Sequence, residues 1–245
     1  MVSKPHATRA RVIAIVLTGV AGFVDAFGFL TLDHVYTAQM SGNTIGLAVN
    51  LAAGRPFEAL RHGLPIATFL LGLTVTAILI ELGRRRGIRR LLAAALLLEA
   101  AALAVFAAWG GDLLAVARQP GGDWSLFLLI AVASVAMGIQ NTSLRMSGVL
   151  GVYTTHVTGT ISKMSEDAVR TLFARIAPGD GKDEPHGTEM LLSAGIWASF
   201  LAGAVGAGLV TPLWGPNLTL LPAIAVLLAI AGTDIVAPLE TPERR

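Results

Sequence analysis

Two short stretches of the chain repeat an uncommon combination of polar residues. Residues 35–42 read VYTAQMSG and residues 152–159 read VYTTHVTG, 117 positions apart. The only two tyrosines of the chain, Tyr36 and Tyr153, occupy the same place in each stretch. Hydroxyl, amide and imidazole groups donate and accept hydrogen bonds, so each stretch is suited to holding a small polar group. Which group these side chains could bind depends on the elements that position them.

Each stretch ends in a hydroxyl residue and a glycine that precede a helical pattern. Ser41–Gly42 and Thr158–Gly159 are therefore expected to free the backbone and to cap the first turn of a helix. The N–H groups at a helix start carry partial positive charge and attract anionic or polar groups. The same hydroxyls would equally satisfy broken backbone inside a membrane bundle, and both interpretations stay open. For Gln39, Asn43 and His156 ligand contact is favoured.

Two acidic residues fall within apolar segments. Asp25 belongs to a Gly22-x-x-Asp25 motif that Gly138-x-x-Asn141 matches at an offset of 116, whereas Glu99 lies between LLL and AAA. A charged carboxylate at the bilayer centre costs at least about 2.5 kcal/mol, so each is expected to be protonated, paired or beside a wet cavity. Both are candidates for proton coupling, and Glu99 fits a neutral acid that locks two helices equally well. The candidate substrate-binding residues are Asp25, Tyr36, Thr37, Gln39, Ser41, Gly42, Asn43, Asn141, Tyr153, Thr154, Thr155, His156, Thr158 and Gly159.

The composition of the chain is that of a membrane protein. Of its 245 residues, 54% are hydrophobic and 14% are charged, and the apolar residues fall in long blocks. The net charge is +2, and the Lys and Arg residues cluster between apolar blocks, which indicates membrane topology rather than nucleic-acid binding. The lack of cysteine excludes disulfides and thiolate metal sites. Scattered histidines and the lack of hydrolase, zinc-protease and phosphate-loop motifs predict no metal, no cofactor and no enzymatic activity.

Six apolar blocks are long enough to cross a bilayer, which takes about 20 residues. They predict an all-α, polytopic fold in a single integral membrane domain, residues 1–245. The blocks are residues 12–32, 64–83, 91–109, 125–144, 190–213 and 217–237. The first block follows a basic segment, as in a signal peptide, but Asp25 interrupts it and no clear cleavage site follows. It is therefore expected to be a retained span.

The charges of the connecting segments set the expected orientation. With the N-terminus inside the cell, inner segments hold fifteen of the eighteen Lys and Arg residues, and outer segments hold only Arg55, Arg61 and Arg118. We therefore expect both termini to lie in the cytoplasm. No cationic residue lies within a predicted span. Glu81 and Asp234 lie near inner ends of spans and are expected to be solvated.

The matched stretches, the matched motifs before them and the order of the spans predict an internal repeat. Residues 12–109 form the first copy and residues 125–237 the second, each with a span, a short helix and two further spans. Because three is odd, the second copy must enter the membrane in the opposite direction, which is the inverted-topology repeat of many secondary transporters. Small residues at Ala198, Ala202 and Gly206 predict a close-packed helix face, either within the protein or in a homodimer.

Two further segments are too short or too polar to be spans. Residues 40–53 are expected to form a re-entrant or interfacial short helix. Residues 158–176 are amphipathic, with an apolar stripe that includes Ile161 and Leu172, so they are expected to lie at the inner surface or to dip partly into the bundle. Residues 177–189 are polar and contain Gly and Pro, which predicts a cytoplasmic loop.

The chain resembles the YoaK family of bacterial membrane proteins, a family of unknown function, in four segments: GFVDAFGFL, MSGNTIGLAVNLAAG, GIQNTSLRM and VYTTHVTGTISKM. The likeness runs from about residue 14 to residue 235. The family usually has threonine at the position of Ser41, and the hydroxyl is kept here. The resemblance implies a polytopic inner-membrane protein and brings no substrate.

Two hypotheses of function follow. The repeat and the intramembrane acids favour a secondary transporter or permease for a small polar or anionic solute, with proton coupling through Asp25 or Glu99. The alternative is a non-transporting membrane sensor or scaffold that binds a ligand or partner through residues 158–189. An intramembrane enzyme lacks a recognisable constellation of catalytic residues. The expected partners are the lipid bilayer and a small solute, with no nucleic acid.

Overall fold

The computed structural model describes residues 4–88, 90–146, 157–176 and 187–236, and every regular element within these ranges is an α-helix. The predicted all-α class is therefore confirmed for the described part of the chain. Eight helices follow one another: α1 (Lys4–Thr31), α2 (Met40–Ala52), α3 (Pro56–Arg85), α4 (Leu91–Ala117), α5 (Asp123–Met146), α6 (Val157–Ile176), α7 (Gly187–Thr219) and α8 (Leu221–Val236).

Five of the described helices are long and apolar enough to cross a membrane, namely α1, α3, α4, α5 and α7. The sixth predicted span corresponds to α8, whose 16 residues measure about 24 Å against a hydrocarbon core of about 30 Å. It is short because α7 continues to Thr219, beyond a kink at Gly215, where φ is 70° and ψ is 175°. The chain is thus a multi-pass membrane protein with five candidate spans and one shorter apolar helix.

Helix α3 begins eight residues before the predicted span, with Pro56 at its first position. Proline is favourable there because its missing N–H is not needed in the first turn of a helix. Arg61 and His62 therefore lie in the first part of a helix of 30 residues, which is longer than a bilayer core requires, and the absence of cationic residues from the spans stays a prediction. This first part of the helix carries charged residues, so it was not included in the predicted apolar block.

Helix α8 packs antiparallel to α4. The backbone N of Ala93, near the start of α4, donates to Asp234 Oδ2 at 3.0 Å, and the N of Gly111 donates to Asn217 Oδ1 at 2.6 Å. Asp234 is only 1% exposed, so the prediction that it is solvated is wrong. It is buried because it accepts from one of the free N–H groups at the start of α4. Glu81, in contrast, has a side chain that is 46% exposed, as predicted.

Helices α1 and α7 lie side by side and run in the same direction. Gly195 faces the side chain of Ile15, and one to two turns further along, Gly22 lies against the backbone of Phe200. A methyl group at Gly22 would overlap the carbonyl oxygen of Phe200, so the two backbones are in direct contact. Close backbone approach at small residues is how helices associate in a membrane.

Helices α3 and α5 form a second pair of the same kind. The rings of Phe57 and Phe127 lie 5.3 Å apart near the starts of both helices. Further along both, a methyl group at Gly138 would overlap the carbonyl oxygen of Phe69. The contacts advance together along the two helices, so α3 and α5 also run in the same direction.

Helices α4 and α5 form an antiparallel hairpin, in which Ser125 Oγ donates to the carbonyl oxygen of Leu113 at 2.8 Å. The interior that the helices enclose is apolar, and Phe27 and Phe106 meet edge to face in it with ring centroids 5.2 Å apart. Large side chains that are fully buried there include Leu17, Leu32, Leu96, Leu103, Leu129, Ile130, Met137, Leu220 and Leu227.

Helices α2 and α6 pack against the long helix that follows each of them and leave apolar side chains uncovered. Ile45 on α2 is 66% exposed, and Ile161 and Leu172 of the predicted stripe on α6 are also exposed. Within the chain α7 meets α1 through Gly203, whereas Ala198 and Ala202 of the predicted small-residue face are exposed, and a homodimer through that face stays a prediction. One residue of shift turns a helix by about 100°, so a neighbouring set of small residues makes the contact.

Candidate functional site

The turn that carries the first polar stretch is held by Asp25. This residue is 3% exposed, and its Oδ1 accepts from the backbone N of Thr37 at 2.8 Å and of Ala38 at 2.7 Å. Thr37 Oγ1 donates to the same oxygen at 3.2 Å. Asp25 lies six residues, about 9 Å, before the end of α1. The chain therefore turns back beside α1 before α2 begins, which fits the re-entrant form of the short helix.

Asn43 holds the same turn from the other side. Its Oδ1 accepts from the backbone N of Tyr36 at 3.1 Å, and its Nδ2 donates to the carbonyl oxygen of Tyr36 at 2.6 Å. Asn43 is fully buried, whereas Tyr36 is half-buried and packs against Phe29 with ring centroids 4.9 Å apart. Gly42 leaves the room that the Tyr36 ring occupies. Both ends of the Asn43 amide are thus used in holding the turn.

Ser41 does not cap the short helix, so that prediction is wrong. Helix α2 begins at Met40, and Gln39 is its N-cap residue without a side-chain hydrogen bond. Ser41 lies within the first turn and is exposed. The helix begins where the predicted segment 40–53 begins, and Asp25 and Asn43 fix the backbone in front of it.

The second polar stretch lies mostly outside the described residues. This applies to Tyr153, Thr154, Thr155 and His156. Thr158 and Gly159 lie exposed at the start of α6. Asn141, which matches Asp25 in sequence, is 6% exposed, and its Oδ1 has no hydrogen-bond partner among the described residues. The structure brings Asp25, Thr37 and Asn43 together, and the predicted meeting of two opposed helix starts stays a prediction.

Glu99 lies in the middle of α4 and is fully buried. Within the described residues neither of its carboxyl oxygens has a hydrogen-bond partner. Gln140 on α5 is also fully buried, and neither its Oε1 nor its Nε2 has a hydrogen-bond partner among the described residues. Gln140 was not among the predicted site residues, although a lone amide inside an apolar span is a signal that could have singled it out.

A cavity of about 660 Å³ opens at the end of the bundle where α1 and α4 end and α3 and α5 begin. Leu114, Leu126 and Pro216 supply part of its apolar wall. Its charged lining consists of Asp33, Arg61, Arg118 and Asp123. The sequence predicted these residues only as parts of outer loops and missed the cavity. Among the described residues, no group of three or more His, Asp or Glu side chains is placed to hold a metal ion.

Arg61 ties together three segments at the rim of this cavity. Its Nη1 lies 3.2 Å from Asp33 and 3.1 Å from Glu58, and its Nη2 lies 3.3 Å from Asp123. Asp33 and His34 follow α1 in the left-handed region, with φ of 51° and 62°. That conformation costs a residue other than glycine about 1–2 kcal/mol. The ion pair with Arg61 helps to hold the strained turn in place.

Replacing Arg61 with methionine is expected to loosen this turn, because three neighbouring carboxylates would lose their shared cation. The backbone amides of residues 32–38 should exchange hydrogen for deuterium about three to ten times faster than in the unmodified protein, as expected for a network of partly exposed pairs. Hydrogen exchange followed by mass spectrometry measures this. Arg55→Met is the matched control, since Arg55 is an exposed cation directly before the first residue of the same helix. Equal exchange in the two variants would contradict the assigned role of Arg61.

Comparison with known proteins adds three findings. Residues 13–233 match the model of a family described as protein of unknown function (DUF1275). The chain is 29% identical over 153 residues to the UPF0700 transmembrane protein YoaK of Bacillus subtilis (strain 168). This alignment covers 62% of the chain and 64% of the relative, so the chain matches less than two thirds of the relative's length. No solved structure matches the chain.

Proposed function

We propose that this chain, which belongs to the DUF1275 family of proteins of unknown function, is a secondary transporter for a small polar or anionic solute. The observation that carries the proposal is a helix crossing that occurs twice. Helix α1 meets α7 at Gly22 and Phe200, and α5 meets α3 at Gly138 and Phe69. The two glycines are 116 positions apart and the two phenylalanines 131 positions apart.

Each crossing has a second contact, and its residues are again separated by 116 and 131 positions. A methyl group at Gly203 would overlap the carbonyl oxygen of Gly19, and one at Gly72 would overlap that of Val135. The segments FLLG, residues 69–72, and FLAG, residues 200–203, correspond in sequence as well, a signal that the search for repeated stretches missed. Agreement at four positions supports two inverted repeats, residues 12–109 and 125–237, which is the architecture of many secondary transporters.

The directions of the helices support six crossings with α8 as the last. Arg61 near the start of α3 pairs with Asp33, which follows the end of α1, so α3 starts at the end of the bundle where α1 ends. Helix α4 follows α3 after a short turn, α5 returns beside α4, and α7 runs in the same direction as α1. Helix α8 is antiparallel to α4. Alternating directions of this kind bring the last described residues to the side on which α1 begins. Together with the distribution of Lys and Arg residues, they favour both termini in the cytoplasm.

The charged cavity would be the entry for a solute, and the apolar interior beyond it is closed in this structure. The charged cavity opens at the outer end of the proposed topology, and the Phe27–Phe106 pair lies deeper in the bundle. Glu99 precedes Phe106 by seven residues, about 10 Å along α4, so it lies on the far side of this aromatic pair. Transport by alternating access requires such a barrier to open in one state and close in another.

Reconstitution into liposomes tests the proposal. Wild-type protein is expected to accumulate at least one solute from a panel of small polar and anionic metabolites when a pH gradient is imposed. Glu99→Gln should lower gradient-driven uptake at least about tenfold, because an amide cannot release a proton, while solute exchange without a gradient continues. Asp112→Asn is the matched control, since Asp112 is an exposed acid of the same helix. If no solute of the panel moves under any gradient, the transporter proposal fails.

The alternative, a sensor or scaffold that acts through residues 158–189, draws support from one surface contact. Lys163 Nζ lies 2.6 Å from Glu189 Oε2 and 2.9 Å from Asp167 Oδ2, so it links α6 to the start of α7. The hydrogen bonds that Lys163 donates to Glu189 and to Asp167 raise the pKa of Lys163, which stays charged at neutral pH. A scaffold would keep partner binding in the same preparations that move no solute.

A further inference from the structure

Glu99 and Gln140 belong to a set of buried polar side chains, with Thr76, Ser134 and Asn141, that have atoms without a hydrogen-bond partner among the described residues, and in Glu99 and Gln140 both polar atoms lack one. Both are fully buried, and Oε1 and Oε2 of Glu99 and Oε1 and Nε2 of Gln140 all lack hydrogen-bond partners among the described residues. A buried polar group without a partner costs about 1–3 kcal/mol, and a charged one costs more. Four such atoms on two neighbouring helices make a fold unstable unless they find partners in one another or in a ligand.

The register of the hairpin places the two side chains at one level. Ser125 Oγ bonds to the carbonyl oxygen of Leu113, which fixes the pairing of α5 with α4. Glu99 lies 14 residues before Leu113, and Gln140 lies 15 residues after Ser125. At 1.5 Å per residue these distances are about 21 and 22 Å along antiparallel helices, so the two positions differ in height by roughly one residue.

We propose that Glu99 binds a proton and shares it with Gln140 as an acid–amide pair. The protonated carboxyl donates its O–H to Gln140 Oε1, and Gln140 Nε2 donates an N–H to the second carboxyl oxygen. One proton thereby gives every one of the four atoms a partner. Both side chains are long and unbranched, which gives them the reach that such a pair between neighbouring helices needs.

Loss of the proton removes the first of these two hydrogen bonds and sets a carboxylate oxygen against the amide oxygen. The ionised pair keeps only the N–H donated by Gln140 Nε2, so the protonated pair, with two hydrogen bonds, holds α4 to α5 more firmly. The coupling of this change to solute movement rests on the proposed function. The pairing itself does not, since an acid–amide pair forms or fails to form whether or not a solute is carried.

Charged positions on the helices packed against α4 lie near helix ends rather than at the level of Glu99. Asp234 of α8 is bonded to the N of Ala93, near the start of α4. On α5 and α7 the charged positions are Asp123, Arg145 and Glu189, and on α3 they are Glu58, Arg61, His62, Glu81, Arg84 and Arg85. None of these side chains that the structure describes hydrogen-bonds to Glu99. Gln140 is therefore the partner that the geometry offers.

Infrared difference spectroscopy of the detergent-solubilised protein tests the pair. Wild-type protein at neutral pH is expected to show a carbonyl band of a protonated carboxyl group that moves to lower wavenumber in heavy water and disappears in Glu99→Gln. In Gln140→Leu the band should move to higher wavenumber, because the carboxyl loses its strongest hydrogen-bond partners. Glu99→Gln should melt close to the wild-type temperature, since two facing amides keep both hydrogen bonds without a proton.

The outcomes separate this inference from the transport proposal. If no protonated carboxyl band is lost in Glu99→Gln between pH 5 and 8, Glu99 is ionised and the inference is overturned. If the band keeps its position in Gln140→Leu, the proton is not shared with Gln140 and the pair is overturned. Should Gln140→Leu fail to fold, Gln140→Asn, one methylene shorter, must show the same upward movement. Neither reading depends on whether any solute is transported.

Discussion

Alanine in place of Gly22 is expected to destabilise the folded protein by about 3 kcal/mol, and alanine in place of Gly138 by a similar amount, as overpacking of a tight helix contact does. The added methyl group would overlap the carbonyl oxygen of Phe200 in the first case and that of Phe69 in the second. A backbone oxygen inside a helix cannot swing aside as a side chain can, so the two helices must separate. Nearly equal losses are expected because the two crossings have the same geometry.

Thermal unfolding in detergent measures these effects, and each variant should unfold about 6–12 °C below the wild type. Gly232→Ala is the control for the removal of a glycine from a helix. It lies inside α8, where an added methyl group meets no atom within 4 Å. There alanine should be neutral or slightly stabilising, because it favours the helix over glycine. If Gly22→Ala unfolded at the temperature of Gly232→Ala, the backbone contact between α1 and α7 would not exist.

Asp25→Ala is expected to cost about 3–5 kcal/mol, because it leaves three buried donors without an acceptor at about 1–3 kcal/mol each. The substitution leaves the N–H groups of Thr37 and Ala38 and the hydroxyl of Thr37 buried without their acceptor. Asp25→Asn keeps an oxygen acceptor of the same shape and should lose about half as much. The expected order of unfolding temperatures is therefore wild type, Asp25→Asn, then Asp25→Ala.

Hydrogen exchange at residues 35–39 identifies the cause of this loss. In Asp25→Ala the amides of the turn should exchange about a hundredfold faster, because their common acceptor is gone. Asp112→Ala removes an exposed acid and should leave both the unfolding temperature and the exchange of the turn unchanged. A turn that stays protected in Asp25→Ala would show that other groups hold it, and would leave Asp25 free for a direct role with a solute.

The sequence allowed most of the helices to be predicted but misjudged several of their ends. Apolar blocks of about 20 residues have one explanation in a membrane protein, so the spans were readable from composition. The starts of α3 and α7 were missed because polar and charged residues occur there, at the level of the membrane surface. The sixth span stays a proposal for another reason. The kink at Gly215 and Pro216 divides its residues between α7 and α8.

Parts of the candidate site could not be predicted because they arise from the packing of distant segments. Asp25 was singled out as a polar residue in an apolar span, and its contact with the turn at residues 37–38 follows from a reversal of the chain that no local pattern specifies. Arg61 gathers carboxylates from three elements, of which only Glu58 is close in sequence. Which small residues of α7 meet α1 could not be predicted either, because small residues occur on several sides of that helix.

The helix contacts between the two halves also determine when each helix can find its partner during synthesis. Helix α1 leaves the ribosome early, but its partner residue Phe200 lies 178 positions after Gly22. At 5–20 residues per second, about 9–36 s pass before the two can meet. During this interval the groove at Gly22 and the buried carboxylate of Asp25 have no finished surroundings. For most of translation the first half therefore lacks its packing partners, and the insertion machinery has to protect it until the second half is synthesised.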